Sequence, residues 1–143
     1  MALCASAAQT CTASHLRRAS RAVSNAFDAV LRPAGLRSSQ FSVLVALALA
    51  QEAPVSRLAG ILGLDRTTMT RNLGPLQRRG LVASVAGDDR RSRVLRLTGK
   101  GRDALARALP LWERAQGGVV RDLGEAKWKG LLQGLKATAS LAP

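Results

Sequence analysis

The sequence has no tyrosine, and its two phenylalanines and two tryptophans bring the aromatic share to only 3%. Sandwiches and barrels lean on aromatic and β-branched side chains, so an apolar content built mostly on Ala, Leu and Val favours packed helices instead. Acidic residues are also scarce, 9 against 22 basic ones, which leaves a net charge of +13. No apolar run approaches the roughly 18–20 residues that a bilayer-spanning helix needs, so no membrane span is expected. The opening MALCASAAQTC lacks a charged start and its apolar stretch is broken early, which argues against an export signal. Two cysteines in such a chain are expected to be reduced thiols in a cytoplasm. There is one histidine, no pair of carboxylates on a shared helix face, no metal-ligand cluster, and no phosphate loop, since TGKG (98–101) lacks the Walker spacing. Neither an enzyme nor a bound cofactor or metal is expected.

What is present is a chain of 143 residues, 47% hydrophobic, long enough for one domain with a real core or two small lobes sharing one. The positive charge is focused. Residues 57–102 hold 11 Lys and Arg and three Asp, a net +8, while residues 103–143 carry only +2. A polyanion is the natural partner of such a field, although a basic solvated surface would have the same composition.

Hydrophobic spacing organises the chain. From about Ala13 to Arg32, the positions Leu16, Ala19, Val23, Phe27 and Val30 recur every three or four residues, and Pro33 and Gly35 end that helix. Ser38 or Ser39 can cap a second, almost wholly apolar helix to about Ala50. Pro54 opens a short third helix whose inner face is Val55, Leu58, Ala59 and Leu62, stopped by Gly63. Asp65 is a good N-cap for a fourth, with Met69, Leu73 and Leu76 inward. Two short helices joined by a tight glycine turn describe a helix-turn-helix. The period then shortens: LVASV (81–85) and RVLRL (93–97) read as strands around the turn AGDDRRS (86–92). Thr98 caps a long helix through Leu105, Leu109, Trp112 and Val119, with a bend expected at Pro110 and a loosened end at Gly117-Gly118. A last helix starts near Gly124-Glu125, with Trp128, Leu131, Leu132 and Leu135 on one face.

The fold class is therefore mainly α with a small β-hairpin wing: a winged helix-turn-helix plus flanking helices. A helix that reads DNA needs short polar side chains and Arg in its N-terminal half. Arg66, Thr67, Thr68, Thr70 and Arg71 supply them around the inward Met69. Thr67 or Thr68 can meet phosphates or a thymine methyl, and Arg71 can reach guanine O6 and N7. Arg90 and Arg91 stand at the hairpin tip, where a wing would flank the groove and an Arg can enter the minor groove. Asp89 beside them opposes a polyanion unless it pairs with an arginine. Pro75 removes an amide and clashes with the carbonyl of Arg71, so a bend is expected between a reading half (66–73) and a packing half (76–79). Arg78 and Arg79 are expected to be a solvated helix end or phosphate contacts.

From roughly Leu16 to Leu135 the sequence resembles the MarR family of bacterial winged helix-turn-helix regulators. The resemblance rests on GLRSSQFSVLVAL (35–47), RLAGILGLDRTTMTRNLGPLQRRGLV (57–82) and DDRRSRVLRLTGKGR (88–102), the last with the wing signature Asp89, Arg91, Leu97-Thr98 and Gly101. It implies a homodimer that interlocks through its terminal helices: residues 1–36 and 101–143 for dimerisation, residues 37–100 for DNA. It further implies a near-palindromic double-stranded DNA operator, with Thr68 and Arg71 facing bases, Arg91 in the minor groove and Arg90 as a second wing residue. Such a protein would be a cytoplasmic regulator, more often a repressor, associated with the nucleoid when bound. The competing reading is a non-specific basic architectural DNA-binding protein.

Members of the family also commonly release DNA on binding a small, often phenolic, ligand or on thiol oxidation. Phe27, Phe41, Trp112 and His15 are candidates for a ligand pocket, although a packed core is the better account of the aromatics. If the first helix extends back through Cys11, then Cys11 and His15 lie one turn apart on one face, as a thiol with a neighbouring base or as two ligands of a metal shared across a dimer. An incidental thiol near a terminus is the simpler reading of Cys4 and Cys11.

Overall fold

Helix α3 (Ser38–Ala50) is the axis of the molecule. Phe41, Val43, Leu44, Ala46 and Leu47 are buried on several of its sides, which is stable only when neighbours surround the helix. They do so here: α2 (Thr12–Leu31), α4 (Val55–Leu62), α5 (Arg66–Arg78), β1 (Glu52–Ala53), β3 (Arg93–Leu97) and α6 (Gly99–Leu123) all pack against it. The computed structural model describes residues 1–87 and 93–141. Helix α1 (Ala2–Thr10), a 3-10 turn at Arg32–Ala34, strand β2 (Val82–Ala86) and helix α7 (Glu125–Ala139) complete it.

The two short helices form the expected helix-turn-helix. Gly63 adopts the left-handed conformation at φ 61°, and the Leu64 amide donates back to the Ala59 carbonyl at 2.9 Å, closing the turn. Met69, Leu73 and Leu76 point α5 into the core, as their spacing predicts. A second left-handed glycine, Gly80 at φ 69°, ends that helix and lets the Leu81 amide reach the Leu76 carbonyl at 2.9 Å. The sheet is antiparallel in the order β1-β3-β2, with Val82 opposite Leu97 and Ala53 opposite Leu95.

One junction joins this lobe to the long helix. The Thr98 amide donates to the Leu81 carbonyl at 3.1 Å and its hydroxyl donates to the Gly80 carbonyl at 2.7 Å. The same hydroxyl accepts from the Gly101 amide at 3.0 Å, capping α6. Gly101 is buried, and a Cβ there would fall inside the contact distance of the Leu81 carbonyl oxygen.

Several boundaries differ from expectation. The first helix is preceded by another, α1, and the break between them falls at Cys11, whose backbone is extended at φ −67°, ψ 105°. The cap of α3 is at Arg37, not Ser38 or Ser39. The Arg37 amide donates to Gln40 Oε1 at 3.1 Å, and the Ser38 amide to Asp28 Oδ1 at 2.6 Å. Strand β2 begins one residue later than expected, and the two-residue β1 went unseen because so short a segment has no period. The helix α5 runs through Pro75 to Arg78, and α6 runs through Pro110 and Gly117-Gly118 to Leu123. Pro110 and Ala106 are both exposed, so the carbonyl that Pro110 leaves unpaired lies on the wet side of the helix. Gly124, at φ 78°, makes the actual stop.

Gly101→Ala forces the Leu81 carbonyl away from α6 and is expected to cost about 1–3 kcal/mol, as overpacking does. Gly99→Ala, which meets only the far end of Arg102 at 4.0 Å, should stay within about 0.5 kcal/mol of wild type. Denaturant melts of the two variants check this; equal stability would show that the junction yields freely.

Candidate nucleic-acid interface

The reading face is set by the first turn of α5. Asp65 caps it with both carboxylate oxygens: the Thr68 amide donates to Oδ1 at 2.9 Å and the Thr68 hydroxyl donates to Oδ2 at 2.6 Å. These bonds, with the Thr68 hydroxyl contributing most, hold the Asp65 carboxyl below its usual pKa. Thr68 is half-buried, and its hydroxyl proton is already committed. The Thr70 hydroxyl donates to the Arg66 carbonyl at 2.9 Å, which leaves its methyl group and lone pairs outward. Arg66, Thr67, Thr70 and Arg71 are exposed. Among the described residues, the polar hydrogens left without a partner on this face are those of Thr67 and the two guanidiniums, with Thr68 serving the helix cap.

Arg66 is not alone. It lines one cleft with Arg93 at the base of the wing, over a floor that includes Val55 and Ala59. Arg93 is held across the hairpin, donating from Nε to the Ser84 hydroxyl at 3.2 Å and from Nη2 to the Ser84 carbonyl at 3.1 Å. Sequence reasoning weighed the arginines of the tip and passed over this one. Its place beside Arg66 follows from strand pairing, which sets Arg93 at the exposed start of β3 opposite Ala86. Arg90 and Arg91, with Asp88 and Asp89, lie outside the described residues.

The remaining candidates do not form one site. Phe41 and Trp112 stack with ring centroids 6.2 Å apart and planes at 18°. They border an apolar cavity of about 410 Å³ between α3, α4 and α6, with Leu49, Ile61 and Leu109 at its rim. His15 instead lines a separate groove between α2 and α7. Phe27 is half-buried and lines neither. The His15 ring is hydrogen-bonded through Nε2 to the Gln9 carbonyl at 2.8 Å, and among the described residues no hydrogen bond joins it to Cys11. The Cys11 thiol does sit below its ordinary pKa, because the amide and hydroxyl of Ser14 face it at the start of α2. Among the described residues, no three His, Cys, Asp or Glu side chains converge in a way that could hold a metal, and no helix is long and apolar enough to cross a membrane.

A helix-turn-helix with an exposed Arg-Thr face and a basic hairpin beside it defines the winged helix-turn-helix class. A family model described as the MarR family matches residues 34–92. The chain is 39% identical to MosR of M. tuberculosis, a transcriptional regulator solved in complex with DNA, over 92% of this chain and 95% of that one, with a TM-score of 0.83. It is 34% identical to the transcriptional repressor CouR, solved on a 23-mer DNA duplex, over 90% and 92%, with a TM-score of 0.81. CouR has also been solved with p-coumaroyl-CoA. MarR of E. coli, solved with operator DNA, shares 19% identity over 92% and 96% at a TM-score of 0.82, a likeness of fold. No curated protein sequence matches. The chain belongs to the MarR family, and it is a DNA-binding transcriptional regulator.

Asp65→Ala removes the cap and is expected to lower the melting temperature by a few degrees at neutral pH. The folded pKa is depressed, so the carboxylate's contribution is full above the unfolded value near 4 and is lost as pH falls through the lower folded value. The melting difference between wild type and variant should therefore shrink in that acid window. A difference that is constant across the window would mean that the carboxylate charge is not what stabilises the helix.

Proposed function

We propose that the protein is a homodimeric, sequence-specific repressor in a bacterial cytoplasm. In this reading the α5 face reads bases of a near-palindromic operator and the wing flanks it. The observation that carries the proposal is the exposed Arg66, Thr67 and Arg71 face, set beside Arg93. Arg71 contributes the base contact, and Arg90 and Arg91 reach along the minor groove from the tip. Dimerisation is supported by apolar side chains that one chain leaves outside: Val23 on α2, Leu123 at the end of α6, and Leu131, Leu132 and Leu135 on α7 are each more than a third exposed. Residues 1–36 and 101–143 form the dimerisation region around a reading lobe of residues 37–100. Arg71→Ala is expected to cost about 1–3 kcal/mol on the DNA flanking the protein's own gene and to relax its preference over scrambled DNA. Equal losses on both duplexes would favour the non-specific architectural reading that a +13 chain also allows.

Release is proposed to follow from a small aromatic effector in the Phe41–Trp112 cavity or from oxidation of Cys11. The cavity lies where α6 meets α3 and α4, and CouR offers p-coumaroyl-CoA as the first probe. Cys11 sits at the α1–α2 break with its thiolate favoured. Titration of the DNA-bound protein with p-coumaroyl-CoA and, separately, with hydrogen peroxide distinguishes the two routes. Peroxide release that persists in Cys11→Ser would remove Cys11 from the mechanism; effector release unchanged by Phe41→Leu would remove the cavity.

A further inference from the structure

Beside the reading lobe, a polar cavity of about 630 Å³ opens where the end of α2, the 3-10 turn and the start of α3 meet the last residue beyond α5. Three guanidiniums from different segments line it: Arg32 after α2, Arg37 at the cap of α3, and Arg79 after α5. Asn25 and Gln40 add amide groups, and Asp28 is the carboxylate in the lining. Asp28 is engaged through Oδ1 by the Ser38 amide at 2.6 Å. Arg79 is anchored, with Nη1 donating to the Gly35 carbonyl at 2.6 Å. None of the three arginines forms an ion pair with a described carboxylate within 4.0 Å; Lys129 with Glu125 is such a pair, elsewhere on the chain. Basic groups gathered in one concavity without matching acids form a field that attracts an anion. Their forked donors suit the oxygens of a phosphate.

The cavity is also placed for a nucleic acid. The Ser39 hydroxyl donates to Asn72 Oδ1 at 2.9 Å, which fastens the start of α3 beside the middle of α5, next to Arg71. The cap of α3 at Arg37 is thus tied, two residues on, to the helix that carries Arg71.

We infer that Arg32, Arg37 and Arg79 form a phosphate-binding site, separate from the base-reading face, that takes either a backbone phosphate of the bound duplex or the phosphate of a small anion. The inference extends the DNA-binding reading but can be tested apart from it. The variant is Arg32→Gln/Arg37→Gln, which leaves the Arg79–Gly35 bond in place. Its melting temperature first shows that it folds. Duplex binding is then measured against salt on any DNA, specific or not. A duplex phosphate predicts that the slope of log K against log salt becomes shallower by about 1–2, since each phosphate neutralised contributes about 0.9. It also predicts equal weakening on operator and scrambled DNA. A small-anion site predicts an unchanged slope, with pyrophosphate at constant ionic strength raising the melting temperature of wild type and not of the variant. An unchanged slope with no pyrophosphate effect overturns the site. Loss of operator preference in wild type would sink the sequence-reading proposal while leaving this result intact.

Discussion

The structure depends on the contact of Thr98 and Gly101 with the Gly80-Leu81 backbone. Three things must meet there: the end of the recognition helix, the base of the hairpin and the start of α6. Strand pairing alone holds the hairpin to itself, and the hydrophobic core, being non-directional, does not fix an angle. The directional bonds from Thr98 to the carbonyls of Gly80 and Leu81 supply that angle. Gly101 permits them, because any side chain at that position would hold the α6 backbone away. The Leu-Thr-x-x-Gly element is thus a joint with a separate reason for its Thr and its Gly. Any signal passing between α6 and the reading helix along the backbone crosses this joint.

The same economy of hydrogen bonds shapes the reading face. Thr68 offers a hydroxyl where a base contact is expected by family resemblance, but Asp65 already accepts its proton. A hydroxyl so engaged can still accept a hydrogen bond or touch a methyl group, so its chemistry toward a base is narrowed. On charge alone, Asp65 opposes a polyanion. Its depressed pKa has a cause in the Thr68 bonds, and it costs little in affinity if it fixes the helix start. Arg66 and Arg93 show the complementary case: one is on a helix and the other on a strand, joined only by the tertiary fold into one basic cleft.

Much of this was legible in the sequence, for physical reasons that differ by element. The helices α4 to α6 were readable because burial imposes a 3.6-residue period on Leu and Val, and because Gly63, Asp65 and Thr98 have narrow roles at helix ends; α3 was readable as an almost wholly apolar run. Pro75 and Pro110 stand inside continuous helices because their cost, about 3 kcal/mol, is local and the packing of α5 and α6 absorbs it. Cap assignment at α3 failed because the cap falls on Arg37, with the Arg37 amide met by Gln40 and the Ser38 amide by Asp28 ten residues back, a partner no local rule sees. The Cys11–His15 pairing assumed a continuous helix. In the structure Cys11 is the N-cap of α2, one turn before His15, whose ring bonds the Gln9 carbonyl while the Ser14 amide and hydroxyl face the thiol. Arg93 was missed because a side chain's neighbours across a sheet are set by register, which is not visible until the strands are paired.

The net charge carries less specific information than its size implies. A field of +13 attracts any polyanion, and attraction alone makes the complex salt-sensitive and indifferent to sequence. Discrimination requires that some basic groups be held where only one base edge satisfies them, while others remain on phosphates. The structure separates arginines by their tethers. Arg71 is exposed on a rigid helix turn. Arg93 is tied to Ser84, and Arg79 to Gly35, each by a backbone carbonyl that fixes its position but leaves other donors free. A tethered guanidinium loses less conformational entropy on meeting a phosphate, so it suits a role that sets register. The side chain that reads must sample the base edge, and Arg71 has no bond among the described residues to hold it back. The allocation of arginines between positioning and reading therefore follows from which backbone oxygens lie within their reach.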